Sequence, residues 1–189
     1  MADLAAALAR VLEHEGGYAD DPDDRGGETY RGIARRFHPD WSGWSRVDAL
    51  KRGAGFPRSL AGDRRVEEAV AALYRDLYWD RFHGDSLPDQ PLAEELFDTA
   101  VNLGVRRAVR FLQDSLNLLN RSQRNYADLV VDGWFGDATL DAVRAVVAVD
   151  GDARFVVRLI NAMQAAHYID VMRHDSTQEK YARGWLTRA

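Results

Sequence analysis

A mainly α-helical fold with one small β-hairpin is what this 189-residue sequence predicts, and three observations predict it. Apolar residues recur at spacings of three and four over most of the chain, the period of a single helix face. Turn residues crowd into one convincing non-helical span, Tyr18 to Gly32, where Asp21-Pro22 and Gly26-Gly27 precede Glu28-Thr29-Tyr30. With 46% hydrophobic residues and no cysteine, the core is held by packing and not by disulfides.

Taken in order, the first helix carries Leu4, Leu8, Val11 and Leu12, with Asp3 placed to cap it and Gly16-Gly17 to end it. The hairpin span follows. The loop GAGFPRSLAG then precedes a helix over about 63–82, whose inner stripe is Val66, Val70, Leu73 and Leu77. The turn from Ser86 to Pro91 leads into a helix over 92–103, stopped by Gly104. Val105, Val109, Leu112, Leu116 and Leu119 mark a further amphipathic helix. A polar loop near 120–128 leads to VVDGWFGDATLDAV, a turn in which Asp137 is placed as an N-cap, and two more helices run to about residue 174.

Charge and motif spacing remove several function classes. Residues 1–98 hold 13 basic and 20 acidic side chains and 99–189 hold 12 and 10, so no dense basic patch exists for phosphate neutralisation, and nucleic acid is not expected as a partner. The five histidines form neither HxH nor HExxH, which argues against a zinc site. Counted as a calcium loop from Asp21, the hairpin span has Arg25 at position five and Gly32 at position twelve, where a bidentate Glu is required. No nucleophile elbow or phosphate loop is present. Neither a metal nor a cofactor is expected. No run approaches the roughly 20 apolar residues of a membrane span, so membrane insertion is not expected. The start MADLAAALARVLEHE lacks a basic n-region and an unbroken apolar core, which predicts synthesis in the cytoplasm without a signal peptide.

Helix phase singles out one carboxylate. At about 100° per residue, Leu4, Leu8, Val11 and Leu12 fall within roughly a quarter-turn of one another, and Glu15 falls in the middle of that arc. Glu13 points to the opposite side. Partial removal from water and the negative end of the helix dipole both disfavour the charged form of Glu15, raising its pKa as a general acid near neutrality requires. A solvated last residue of a fraying helix is the competing reading of the same geometry. For Asp20, Asp21, Asp23 and Asp24 a turn with side chains bonded to their own backbone accounts for most of the acids.

EGGY at 15–18, DPDDRGGETYRGIA at 21–34, YRDLYWDRFHGDSLP at 74–88 and FDTAVNLG at 97–104 closely resemble glycoside hydrolase family 108, the EGGY-motif N-acetylmuramidases of phage endolysins and secretion-associated lysozymes. VDGWFGDATL at 131–140 and RGWLTR at 183–188 are similar to the predicted peptidoglycan-binding region that follows in that family. The resemblance covers nearly the whole chain. It implies a lysozyme-like helical bundle with the hairpin at the active cleft, a catalytic region over 1–97 and a helical peptidoglycan-binding region over 98–189 packed against it.

By this resemblance Glu15 protonates the β-1,4 glycosidic oxygen between N-acetylmuramic acid and N-acetylglucosamine. Similar phage-type lysozymes space Glu, eight residues, Asp, five residues, Thr. Asp24 fits the first interval, whereas Thr29 comes one residue early and Tyr30 occupies the expected place, so Asp23 or Asp21 remains an alternative to Asp24. An acid opposite Glu15 leaves room for a water and favours inversion. A lytic transglycosylase would need Glu15 alone, and a non-catalytic wall-binding or secretion-accessory protein is the alternative from another class. For substrate binding the expectations are Tyr18 and Tyr30 as sugar-stacking rings, Asp98 and Asn102 as a polar ridge on the cleft floor, and Trp134 as a contact with wall polymer. Trp41, Trp44 and Trp79 could also stack on sugar rings, although aromatics at helical or turn positions are more often core. Peptidoglycan is the expected partner, with a holin or a secretion-system component releasing the protein to the cell wall in the periplasm.

Overall fold

In the computed structural model, residues 1–14, 16–21 and 27–188 are described. The chain divides into two compact units, Leu4–Leu77, and Met1–Asp3 together with Tyr78–Ala189.

The first unit opens with α1, Leu4–His14, which buries Leu4, Ala7, Leu8 and Val11 on one face. Three two-residue strands follow, β1 (Tyr18–Ala19), β2 (Thr29–Tyr30) and β3 (Ile33–Ala34), in an antiparallel sheet of that order. Tyr18 pairs with Tyr30 and Tyr30 with Ile33. The two-residue loop between β2 and β3 is Arg31-Gly32, both at positive φ (50° and 75°), which matches the twist of a tight hairpin. The expected hairpin is therefore present and extended by a third strand.

The helix α2, Gly43–Lys51, was not foreseen in the sequence. Its start has no side-chain cap and its apolar face is only Trp44 and Val47, so its period is weak. What holds it is tertiary: Gly43 lies against the Trp41 ring, where a Cβ would come within 2.3 Å of ring carbon. Helix α3, Arg64–Tyr74, is capped by Asp63, which accepts from Val66 N at 3.2 Å and is held in turn by Arg46. Its buried stripe is Val66, Val70 and Tyr74. From Arg75 to Trp79 the helix widens to a π turn, and a 3-10 turn continues over Asp80–Phe82. Tyr74 continues the i, i+4 row of Val66 and Val70 in place of the expected Leu73, and the widening after it shifts the phase so that Trp79 is buried where Leu77 was expected.

In the second unit, α4 (Gln90–Leu103), α5 (Val105–Leu119) and α7 (Arg154–His174) pack on one another. Their shared core includes Leu92, Leu96, Phe97, Leu112, Leu116 and Ile160. Asp89 caps α4 through Leu92 N at 2.9 Å. The loop after α5 is pinned by amides that face it: Asn120 donates to Tyr126 O, Asn117 to Leu129 O, and Gln113 to Asp132 Oδ1 and Trp134 O. Helix α6, Asp137–Asp150, packs on α5. Its N-cap is Gly136, so Asp137 is the first helical residue and not the cap expected of it. Placed there, its charge still complements the helix dipole. The chain ends in α8, Ala182–Arg188, whose Trp185 stacks on Tyr168 at 5.0 Å.

Candidate functional site

One half-buried acid organises the hairpin of the first unit. Glu28 precedes β2 and its side chain is 11% exposed. Lys51 Nζ lies 2.6 Å from its Oε1 and Arg35 Nε lies 2.6 Å from its Oε2. The Tyr18 hydroxyl is 3.0 Å from the same Oε1 and 3.1 Å from Asp20 Oδ2, and Lys51 also reaches Asp20 at 3.4 Å. A phenol and an ammonium thus touch the acid ahead of residues 22–26 and the acid after them. Arg35 extends the network, donating to Asp48 at 3.2 and 2.5 Å and lying 4.3 Å from the centre of the Trp44 ring.

Two cations on one poorly solvated carboxylate offset the loss of its hydration. Burial alone would push Lys51 down, but its bonds to Glu28 and Tyr18 outweigh that and hold its pKa above the ordinary lysine value. Burial raises the Tyr18 pKa, with Glu28 and Asp20 adding to the effect and Lys51 opposing it, so the phenol keeps its proton. The hydrogen bond from Arg35 lowers the pKa of Asp48. Chemically the arrangement is a charge clamp: it orients strands and does not leave a base waiting for a proton.

Of the residues expected to act, Glu15, Asp23 and Asp24 lie outside the described residues. Gly16 and Gly17 are exposed, and a Cβ added at either would meet nothing within 4 Å. Tyr18 has a half-buried ring set edge-on to Phe56 at 4.6 Å, with its hydroxyl engaged by Glu28 and Asp20. Thr29 sits across from Ala19 and donates its hydroxyl to Gly27 O at 3.1 Å. Tyr30 corrects the expectation of a stacking platform: it is 3% exposed, and its hydroxyl donates to Glu67 at 2.8 Å. Burial and that glutamate raise its pKa. Adjacent strand positions give Tyr18 and Tyr30 different surroundings, because only Tyr30 is covered by the packing of this unit. Trp41 and Trp44 are core residues whose indoles donate to Ala69 O and His38 O.

Asp98 and Asn102 belong to the second unit. Asn102 donates to Asp98 Oδ2 at 3.1 Å and to its carbonyl at 2.8 Å, and Asp98 is buried. Glu95 beside them is buried too. Thr99 donates to it at 3.3 Å, and Asn161, with its amide nitrogen turned inward, donates to both carboxylate oxygens at 2.6 and 3.0 Å. Trp134 is 68% exposed, with Arg106 5.3 Å from its ring centre. Asp132 Oδ1 accepts from Trp134 N at 2.8 Å, closing the turn that presents the indole.

Sequence reasoning missed Glu28, Arg35, Asp48 and Lys51. A signal existed: Trp44, Asp48 and Lys51 fall at i, i+4 and i+7, one face of a helix once the helix itself is recognised. Among the described residues no three His, Asp or Glu side chains gather as a metal site, and no helix is long and apolar enough to cross a membrane.

Comparison with known proteins now bears on this architecture. Residues 8–104 match the model of the family Glycosyl hydrolase 108, and residues 107–189 match a Predicted Peptidoglycan domain. No curated protein matches the chain. Among solved structures the chain is similar to Brucella abortus SagA, with 25% identity over 98% of this chain and 88% of that one and a TM-score of 0.59. The mainly α, lysozyme-like fold with its small antiparallel sheet agrees with that likeness. Its second region carries the peptidoglycan domain, its first the hydrolase, and the chain belongs to glycosyl hydrolase family 108 as a cell-wall glycoside hydrolase.

Proposed function

We propose that the chain hydrolyses the β-1,4 bond between N-acetylmuramic acid and N-acetylglucosamine, with Glu15 as the general acid. The observation that carries this reading is the buried face of α1, Leu4, Leu8 and Val11, ending at two glycines with open space around them. In the sequence, position 15 follows Val11 by four, the spacing of that face, which is the spacing that would suit a carboxylate acting as a general acid. Asp24 is the proposed partner that orients the attacking water, with Thr29 assisting. This pairing supports inversion, in which the carboxylates stand about 6.5–9.5 Å apart.

Tyr18 enters this reading as the residue that ties β1 to Glu28, three positions after the acid. The reaction takes place at the wall, in the periplasm, to which a holin or a secretion-system component would deliver the protein. Digestion of purified peptidoglycan by the wild type and Glu15→Gln, with mass analysis of the new ends, tests it. Reducing muramic acid ends from the wild type and a loss of about 10²-fold or more in the variant are expected. Anhydro ends would mean a transglycosylase, and equal activity in the variant would remove Glu15 from the mechanism.

A further inference from the structure

Three arginines near the start of α5 form no salt bridge within 4 Å among the described residues. Arg106, Arg107 and Arg110 are exposed and line an open pocket of about 470 Å³ together with Gly104. Arg106 donates to the Asp132 carbonyl at 3.2 Å and lies near enough to that residue's carboxylate to lower its pKa, whereas Arg107 lies 3.0 Å from the uncharged His167 Nε2. No acid lies in the first turn of α5, and cations at a helix N-terminus oppose its dipole. On a chain of net charge -5, this is local positive charge kept at a cost. An anionic ligand would repay it.

Arg106 also joins this cluster to a second surface. Its guanidinium lies 5.3 Å from the centre of the Trp134 ring, and that ring lines an open groove of about 450 Å³. The groove adds Val130, 78% exposed, and Asp132, whose Oδ1 is occupied by Gln113 and Trp134 N while no partner for its Oδ2 is seen among the described residues. An exposed indole, an aliphatic side chain and a carboxylate oxygen able to accept from hydroxyls make up the chemistry of N-acetyl sugar recognition. The turn is rigid where it needs to be. Gly133 stands at φ +79° so close to α5 that a Cβ would come 2.6 Å from Arg106 O, and its N–H donates to the buried Gln113 at 2.9 Å.

We propose that Trp134, Arg106 and Arg110 form a binding site for the muropeptide unit of peptidoglycan, the sugar stacking on Trp134 and the stem-peptide carboxylates pairing with the two guanidiniums. This rests on the reading that the chain acts on peptidoglycan and assigns where its second unit holds the polymer. Charge complementarity selects the ligand: a muropeptide carries sugar faces and carboxylates side by side, as this surface carries an indole and guanidiniums.

The test is sedimentation with purified sacculi in the Glu15→Gln background, scored on ice, alongside thermal unfolding to verify folding. Trp134→Ala should weaken binding about tenfold, and Arg106→Gln/Arg110→Gln by a similar factor that shrinks as salt is raised. On glycan strands stripped of stem peptides by an amidase, each muramic acid keeps one lactyl carboxylate while the peptide carboxylates leave, so the Trp134 effect should persist and the arginine effect should shrink. Phe155→Ala, which removes an exposed ring flanked by Arg154 and Arg158 on α7, should bind as the parent does. Parent-like binding by the Trp134 and arginine variants, an equal loss in Phe155→Ala, or an arginine effect undiminished by removal of the peptides would overturn the site. The end-group assay on the wild type reports separately on cleavage, so failure of one reading is distinguishable from failure of the other.

Discussion

Lys51 Nζ stands 2.6 Å from Glu28 Oε1, and through that contact the end of α2 is fastened to the start of β2. The pair matters because its members are 23 positions apart and only Glu28 lies in a family segment, yet it holds the strand that Tyr18 pairs with.

Removing the ammonium should therefore loosen the hairpin. Lys51→Met leaves Glu28 with Arg35 and the Tyr18 hydroxyl, and a loss of about 1–3 kcal/mol is expected in urea unfolding at neutral pH, below the full cost of a deeply buried pair because Lys51 is partly solvated. The sign with pH follows from the raised lysine pKa. Its stabilisation is fully present below the unfolded value and is lost only as pH rises through the higher folded value, so wild type and variant should converge in strong alkali.

His167 should make stability fall in mild acid. Burial and then Arg107 hold its pKa below 6.5, against a smaller opposing pull from Asp170, so the unfolded chain binds the proton more readily. Stability contributed by the neutral ring is present above pH 6.5 and is lost as pH falls through the depressed folded value. His167→Gln should flatten the unfolding midpoint against pH in that window, and an unchanged slope would show that the ring does not titrate as described.

Tyr30→Phe tests the buried phenol. Deleting the hydroxyl removes one bond to Glu67 but leaves Arg31 as its partner at 3.4 Å, so a modest cost of about 1 kcal/mol is expected by chemical denaturation, with lytic activity retained. A selective loss of activity with unchanged stability would instead return Tyr30 to the substrate.

Gly133→Ala and Gln113→Leu should act on the same turn from opposite sides. The first forces a Cβ against the α5 backbone at positive φ, and the second leaves the Gly133 N–H without its acceptor. Each should cost about 1–3 kcal/mol and weaken binding to sacculi more than Tyr30→Phe does, measured by calorimetry and sedimentation.

Much of the fold was legible because it is written in local periodicity. The long helices α4, α5, α6 and α7 announce themselves by spacing, caps and stopping glycines, and the hairpin by its turn residues. Helix α2 did not, since nine residues with two large apolar side chains carry too little period to be separated from loop. The π turn after α3 moved the inner stripe for a related reason: a single extra residue per turn changes the facing of everything after it, and no residue type marks where that happens.

By itself the sequence determined the helix phases, the EGGY and FDTAVNLG segments that point to the family, and the absence of thiol chemistry, since each depends only on residues near one another along the chain. Only the tertiary structure decided that Tyr30 is core while Tyr18 clasps Glu28, and that Arg106 joins Trp134. Such relations depend on which faces of distant elements meet, and the desolvation that makes an ion pair or a buried hydroxyl matter arises only once those faces have closed.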